Sequence, residues 1–128
     1  MKILVVDDYP GAAEITCVLL RLLGHEPTAA MNAAQALAAV ESFEPDIIVL
    51  DLGLPDKNGY AVARAVRARG GKRPFIAAMT GRSSTDDRAQ SLAAGIDIHI
   101  LKPASADNLT KIIDTARAFN AGGAADRA

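Results

Sequence analysis

Residues 47–59, IIVLDLGLPDKNG, place a continuous apolar run directly before an acid and a turn. A run rich in Ile and Val predicts a strand that is buried on both faces, as in a parallel sheet. The run ends at Asp51, and Pro55 and Gly59 then turn the chain. A carboxylate at the end of a buried strand is costly unless its charge is compensated. Asp51 is therefore the first candidate functional residue.

Similar apolar runs alternate with helical patterns along the rest of the chain. Strands are predicted at 2–6, 26–30, 46–50, 74–79 and 97–101, and helices at 12–24, 32–43, 59–70, 83–95 and 105–119. The first helix carries one apolar face formed by Ile15, Val18, Leu19 and Leu22. Capping-box spacing occurs twice, at Asn32 with Gln35 and at Ser84 with Asp87.

Five strand–helix units of this kind predict an α/β fold in one domain. Strands that are separated by helices require right-handed crossovers, and hence a parallel sheet with helices on both faces. No Gly-x-Gly-x-x-Gly motif follows the first strand, which disfavours a dinucleotide-binding fold. We therefore expect a five-stranded, doubly wound, flavodoxin-like sheet of order 2-1-3-4-5 over residues 1–119, followed by a flexible tail at 120–128.

The composition excludes several function classes. The 128 residues carry a net charge of −1 with no run of Lys or Arg, and only two Tyr and three Phe, so no nucleic-acid partner is expected. Cys17 is the single cysteine and falls in a helical pattern, which indicates a core residue. No apolar run reaches about 18 residues. We expect no membrane association and a cytoplasmic location.

Polar residues collect where the predicted strands end. Asp7 and Asp8 follow the first strand, Asp51 ends the third, Thr80 the fourth and Lys102 the fifth. In doubly wound sheets this edge holds the functional crevice. Two like charges about 4 Å apart repel by roughly 4 kcal/mol at an effective dielectric near 20, so three acids there require a cation.

A hard divalent cation with oxygen ligands meets this requirement best. Mg²⁺ is typically held by one or two carboxylates and keeps several waters. Asp8 and Asp51 can ligate it directly, with Asp7 acting through water and a backbone carbonyl near Gly53 completing the protein ligands. A carboxylate beside Mg²⁺ can also attack phosphorus and form an aspartyl phosphate. Lys102 and Thr80 then suit a phosphoryl group, as a positive charge and a hydroxyl donor.

Taken together, the motifs VVDD, DLGLPDKNG, MTG and LKP, each at a strand end, resemble the receiver domain of bacterial response regulators over residues 1 to about 119. The resemblance implies that Asp51 accepts a phosphoryl group from a histidine kinase or a histidine phosphotransfer protein. It assigns Asp8 as a direct Mg²⁺ ligand, Asp7 as an indirect one, and the Gly53 carbonyl as a third. Thr80 and Lys102 would bind the phosphoryl group, and Thr80 would shift towards it.

The resemblance also raises expectations that the residues alone do not. The Lys102–Pro103 bond is expected to be cis, and downstream proteins are expected to bind the 83–119 face. His99 occupies the position where the family usually has a switching Tyr or Phe, so it is either a switch residue or an ordinary strand residue. Gly53 offers no side chain where the family tunes dephosphorylation. We expect a monomer that promotes its own phosphorylation and dephosphorylation without being a turnover enzyme.

Several alternatives stay open at this stage. The chain is either a stand-alone response regulator, which we favour slightly, or the receiver module of a hybrid histidine kinase. A degenerate receiver that only binds partners is disfavoured because all five site residues are present. A haloacid-dehalogenase-type phosphatase would need a second acid at position 53, which is glycine. A flavin-binding protein would need a phosphate-binding loop where Asp7 and Asp8 lie.

Overall fold

A computed structural model describes residues 1–54, 58–80, 88–102 and 105–127 of the chain. The strands are β1 (Lys2–Val6), β2 (Glu26–Ala30), β3 (Ile47–Asp51), β4 (Phe75–Thr80) and β5 (Ile98–Leu101). The helices are α1 (Pro10–Leu22), α2 (Ala33–Phe43), α3 (Gly59–Ala68), α4 (Arg88–Ala94) and α5 (Ala106–Arg127). Every strand lies within one residue of its predicted bounds.

The five strands form one parallel sheet of order β2-β1-β3-β4-β5, which confirms the predicted topology. All five residues of β3 are buried, as the opening apolar run predicted. Val6 is in register with Leu50, and Asp51 with Met79. Because all strands run in the same direction, their carboxyl ends share one edge of the sheet.

Helices cover both faces of this sheet. Residues of α1 and α5 pack with Ile3, Val5 and Phe75 on one face, whereas residues of α2, α3 and α4 pack with Leu4, Val6 and Ile76 on the other. In α3, Ala63 and Val66 are buried and Tyr60 packs against the core. The two cores leave the strand ends as the part of the sheet where polar groups gather.

Of the four residues in the apolar face that the sequence assigns to α1, only Leu19 packs against the core. Ile15, Val18 and Leu22 are 60%, 45% and 78% exposed. The side chains that α1 buries are Ala13, Thr16, Cys17 and Leu20. The buried face of α1 was not recognised from the sequence because it mixes small and polar residues. Cys17 is a core residue, as expected.

The helix ends follow the predicted capping in part. The Asn32 side chain accepts a hydrogen bond from the Gln35 N–H at 2.8 Å and so caps α2. Gly24 follows α1 with φ of +90°, a conformation that favours glycine. The predicted Ser84–Asp87 cap lies outside the described residues.

The last helix, α5, extends to Arg127, beyond the predicted end at residue 119. The mobility that we expect for residues 120–128 stays a prediction. In the ranges that the structure describes, no helix combines the length and the apolar character that crossing a membrane requires.

Candidate functional site

The carboxyl edge of the sheet brings together the acids that the sequence singled out. Asp7 and Asp51 are 9% and 5% exposed, whereas Asp8 is exposed. One carboxylate oxygen from each of these residues lies within 4.8 Å of one from each of the others. Lys102, just after β5, reaches into the same cluster. The prediction that these side chains meet at one edge is confirmed.

Asp51 is held by bonds to both of its carboxylate oxygens. Its Oδ1 accepts a hydrogen bond from the Gly53 N–H at 2.9 Å, and its Oδ2 accepts one from Lys102 Nζ at 2.7 Å. The start of α3 packs against the same loop, where a Cβ on Gly59 would come within 2.6 Å of Leu52 Cα and 2.9 Å of the Asp51 carbonyl oxygen. Only glycine fits at position 59 without displacing the backbone that carries Asp51.

Asp7 is fixed through its own backbone and through the turn that follows it. Its N–H donates to the Ala30 carbonyl at 3.0 Å, and its Oδ1 accepts from the Tyr9 N–H at 3.0 Å. Burial raises the pKa of the Asp7 carboxyl, and the charges of Asp51 and Asp8 add to this. The Tyr9 hydrogen bond and the Lys102 charge act in the opposite direction without cancelling the rise in pKa. An ionised Asp7 is therefore costly unless a further cation is close.

Lys102 supplies the positive charge that the described part of this edge contains. Burial acts to lower the pKa of its ammonium group, but the hydrogen bond to Asp51 and the charges of Asp51, Asp7 and Asp8 outweigh burial and raise the pKa. The Lys102 N–H also donates to the Thr80 carbonyl at 2.8 Å, which ties the ends of β5 and β4 together. Lys102 thus stays protonated at neutral pH and remains in contact with Asp51.

The donor set of this cluster fits Mg²⁺. Three carboxylates face one ammonium group among the described residues, so the edge carries an excess of negative charge. Carboxylate oxygens are the hard ligands that Mg²⁺ prefers. Gly53 lies next to the cluster, since a Cβ added to it would be 3.6 Å from Asp51 Oδ1. The role of its carbonyl as a ligand stays a prediction.

The other predicted residues are placed differently. Thr80 ends β4 and is 4% exposed, so its hydroxyl belongs to this edge of the sheet. His99 lies inside β5 and away from the acids, with its Nε2 2.7 Å from Ser91 Oγ of α4. Pro103 is outside the described residues, and so is the expected cis bond.

Sequence reasoning missed an apolar cavity beside the acids. It has a volume of about 400 Å³ and is lined by Asp7, Tyr9, Gly11, Ala12, Ile15, Thr16, Met79 and Lys102. The exposed face of α1 continues from this cavity. Tyr9, at the amino-terminal end of the helix, is 69% exposed. The signal was present in the sequence, because α1 has more large apolar residues than one buried face can use.

Comparisons with known proteins give the family of this chain. The family model described as the response regulator receiver domain matches residues 3–114. The DNA-binding response regulator MtrA of Mycolicibacterium smegmatis is 39% identical over 102 residues, which are 80% of this chain and 44% of MtrA. The probable transcriptional regulatory protein TcrX of Mycobacterium tuberculosis is 36% identical over 109 residues, 85% of this chain and 46% of TcrX. The chain thus spans less than half the length of these curated relatives.

Solved structures show the same fold at nearly full length. A CheY-like response regulator receiver domain from Methanospirillum hungatei superposes with a TM-score of 0.83 at 30% identity, covering 94% of this chain and 97% of that one. One from Methylobacillus flagellatus gives 0.83 at 28% identity, with 91% and 98% covered.

Proposed function

The chain belongs to the response regulator receiver domain family, and we propose that it accepts a phosphoryl group on Asp51 from the phosphohistidine of a partner protein. The observation that carries this proposal is the double restraint on Asp51. Its two oxygens are held by Gly53 N–H and Lys102 Nζ, at 2.9 and 2.7 Å, and the carboxylate lies within an acidic cluster. A fixed carboxylate with a paired cation is positioned for attack on phosphorus.

The proposed transfer is an in-line displacement. A carboxylate oxygen of Asp51 forms a bond to phosphorus, the bond from phosphorus to the donor imidazole nitrogen breaks, and its electron pair stays on that nitrogen. Negative charge spreads over the phosphoryl oxygens in the transition state. The Lys102 ammonium is at hand to bind this charge, and the buried Thr80 hydroxyl can donate to a phosphoryl oxygen.

Asp8 and Asp51, with Asp7 through water, are the side chains that would hold Mg²⁺ here. When bound, Mg²⁺ neutralises the negative charge shared by the carboxylates and the incoming phosphoryl oxygens. The raised pKa of Asp7 supports a cation in this place, because burial penalises its ionised form. Asp7 keeps its orientation through the hydrogen bond that the Tyr9 N–H donates to its Oδ1.

The phosphoryl group on Asp51 would then be removed by hydrolysis. A water oxygen attacks phosphorus, the bond between phosphorus and the Asp51 oxygen breaks, and inorganic phosphate leaves with the carboxylate restored. Gly53 places no side chain over Asp51, where an acid would be expected in a haloacid-dehalogenase-type phosphatase. The domain would thus act on itself and not as a turnover enzyme.

The phosphodonor would dock on the exposed face of α1. The exposed apolar stripe on this face is formed by Tyr9, Ile15, Val18 and Leu22. Its end at Tyr9 and Ile15 lines the cavity that Asp7 and Lys102 also line. This continuity favours one occupant, an amphipathic helix that carries the phosphohistidine. Ile15→Glu should leave labelling by acetyl phosphate unchanged but slow transfer from a histidine phosphotransfer protein that labels the wild type. Equal transfer to both forms would remove α1 as the docking face.

The relatives MtrA and TcrX are named as regulators of transcription, one of them as DNA-binding. Since this chain matches less than half of each, any output that depends on further domains is a separate question. We propose that the output of these 128 residues is binding of a downstream protein to the 83–119 face. A stand-alone regulator and a receiver module of a larger protein both accommodate this.

The proposal is tested by intact mass after incubation with acetyl phosphate. Wild-type protein should gain one phosphoryl group with Mg²⁺ and none with EDTA, and Asp51→Asn should gain none in either buffer. Asp46→Asn is the matched control, because Asp46 precedes the same strand that Asp51 ends. It should be labelled as the wild type is. A folded wild-type protein that shows neither an adduct nor beryllofluoride binding would refute the proposal.

A further inference from the structure

Tyr9 is the aromatic residue that the fold does not use. The chain has two Tyr and three Phe. The rings of Phe75 and Phe119 contact each other edge-to-face, with centroids 5.5 Å apart. Phe43 lies under an ammonium group, and Tyr60 packs against the core. Tyr9 is 69% exposed, and among the described residues its hydroxyl has no hydrogen-bond partner, so its contribution to the core does not explain it.

The backbone of Tyr9 is fixed although its ring is exposed. Its N–H donates to Asp7 Oδ1 and its carbonyl accepts from the Ala13 N–H, both at 3.0 Å. Tyr9 is the N-cap of α1, a position where Ser, Thr, Asp and Asn are preferred because their side chains bond to the helix. The Tyr9 side chain makes no such bond. The start of α1 therefore holds the ring in one place without needing it as a cap.

The ring lies at the edge of the cavity beside the acids. A Cβ added to Gly11 would be 3.6 Å from Tyr9 Cε2 and 4.0 Å from Cδ2, so the ring lies along the first turn of α1. Tyr9 lines the cavity of about 400 Å³ together with Asp7 and Lys102. The Lys102 Nζ is 2.7 Å from Asp51 Oδ2. An aromatic side chain therefore borders the space next to the proposed phosphoacceptor.

Two kinds of phosphodonor differ in the group that leaves phosphorus. In transfer from phosphohistidine, an Asp51 oxygen forms a bond to phosphorus, the P–N bond breaks, and its electron pair stays on the imidazole nitrogen. In transfer from acetyl phosphate the P–O bond breaks instead, and its electron pair leaves with acetate. The face of a tyrosine ring is negative, so it attracts an imidazole by stacking, and an imidazolium more strongly, but it does not attract a carboxylate.

We propose that the ring of Tyr9 stacks on the imidazole of the phosphodonor, so that this domain selects heteroaromatic phosphodonors over acyl phosphates. This inference rests on the function proposed above and names the substrate class of the same site. Tyr9 is then a specificity-determining residue, because its ring contacts the leaving group. The cavity has room for an imidazole ring, and a tyrosine side chain has only two torsion angles to order on binding.

The test is the ratio of two second-order rate constants for phosphorylation in Mg²⁺ buffer, with phosphoimidazole and with acetyl phosphate as donors. Intact mass at successive times, over a series of donor concentrations, gives both constants. Tyr9→Leu keeps an apolar side chain but removes the ring, and should lower this ratio by about two- to tenfold, the range of one aromatic contact. Tyr9→Phe keeps the ring and should retain the wild-type ratio. A loss of folding or of Mg²⁺ affinity would slow both reactions alike and leave the ratio unchanged.

Leu23→Ala is the matched control, because Leu23 is an exposed apolar residue just after the other end of α1. Its ratio should equal that of the wild type. An unchanged ratio in Tyr9→Leu, an equal fall in Tyr9→Phe, or labelling of the wild type by acetyl phosphate alone would overturn the stacking and leave the proposed function standing. A folded wild-type protein that is labelled by neither donor and does not bind beryllofluoride would overturn both.

Discussion

The two edges of the sheet treat their acids in opposite ways. At the amino edge, Asp46 accepts from the Lys2 N–H at 2.8 Å and pairs with Lys72 at 2.6 Å. Asp97 accepts from the Ile76 N–H at 2.8 Å and pairs with Arg67 at 2.9 Å. At the carboxyl edge, three carboxylates meet a single ammonium group among the described residues.

The paired acids at the amino edge stabilise the fold, whereas the excess negative charge at the carboxyl edge is suited to binding a ligand. At the amino edge each of the two acids has a cation and a backbone donor, so nothing is left for a ligand to neutralise. At the carboxyl edge the negative charge exceeds what Lys102 can balance, and burial raises the pKa of Asp7. Such a surplus is tolerated where binding of a cation compensates for it.

The largest expected effect is at the amino edge. Arg67→Ala should lower the free energy of unfolding by about 3 kcal/mol, because the Asp97 side chain, 12% exposed, would lose its nearer cation and keep only Arg73, whose Nη2 lies 3.9 Å away. The carbonyls of Gly95 and Pro74 would lose a donor as well. Urea unfolding measures this. Arg64→Ala, on an exposed position of the same helix, should change the value by less than about 0.5 kcal/mol. Equal losses in both variants would contradict a structural role for the edge.

Mg²⁺ should stabilise the domain through the acids of the carboxyl edge and not through those of the amino edge. At 100 times its dissociation constant, Mg²⁺ should add about 2.7 kcal/mol to the free energy of unfolding. Thermal unfolding in MgCl₂ and in EDTA gives the difference. Asp8→Asn should lose most of this response, whereas Asp46→Asn should keep all of it. A response that survives in Asp8→Asn would place the metal elsewhere.

Neutralising one acid at the carboxyl edge should stabilise the metal-free domain. Asp7→Asn is expected to raise the free energy of unfolding in EDTA by about 1 kcal/mol, since it removes a buried charge that lies near two others. The amide oxygen can still accept from the Tyr9 N–H. Chemical denaturation at pH 7 is the measurement, and a destabilised Asp7→Asn would show that Lys102 already balances the cluster.

The smallest expected effect is in the pH dependence of stability. Burial acts to raise the pKa of Asp46, but the Lys72 and Lys2 N–H hydrogen bonds outweigh it and hold the pKa below 3.8. Asp46 therefore stabilises the fold above pH 3.8 and loses this contribution as the pH falls through its folded pKa. The gap between wild type and Asp46→Asn, at most about 1 kcal/mol at pH 6, should close in acid.

The pKa of Asp7 is raised, so its contribution has the opposite sign. Stability from this group is lost as the pH rises from 3.8 through the folded pKa, and the gap between wild type and Asp7→Asn should shrink in acid with Asn the more stable form. Urea midpoints from pH 3 to pH 7 follow both variants. Gaps of the same sign would mean that the two edges do not differ as argued.

The strands were predictable because their apolar runs are local in sequence, and the acidic cluster was predictable because each of its residues lies at the end of a predicted strand. The apolar run before Asp51 fixes β3, and parallel topology then brings Asp7, Asp8, Asp51 and Lys102 to one edge. The restraint on Asp51 by Gly53 could also be foreseen in outline, since the two residues are neighbours.

The contacts of Arg67 with Asp97, on elements distant in sequence, and of Ser91 with His99, on consecutive elements, could not be predicted, because both depend on how helices pack on the sheet. Periodicity gives the face of a helix but not the residue it meets. In α1 periodicity was ambiguous as well, since Ile15 and Leu22 lie on a face as apolar as the one that packs. Packing of α1 against β1 and α5 favours its small side chains. This preference cannot be read from the sequence, because it depends on the tertiary contacts of the helix.

The division of α1 into two faces has a consequence for how signalling pathways diverge. Substitutions at Ile15, Val18 and Leu22 touch the outer face, whereas the sheet is held by Ala13, Cys17 and Leu20. If a phosphodonor docks on α1 as proposed, a copy of this domain that arises by gene duplication can change its phosphodonor through the outer residues while its core stays intact. Insulation of one pathway from another would then cost the fold little stability.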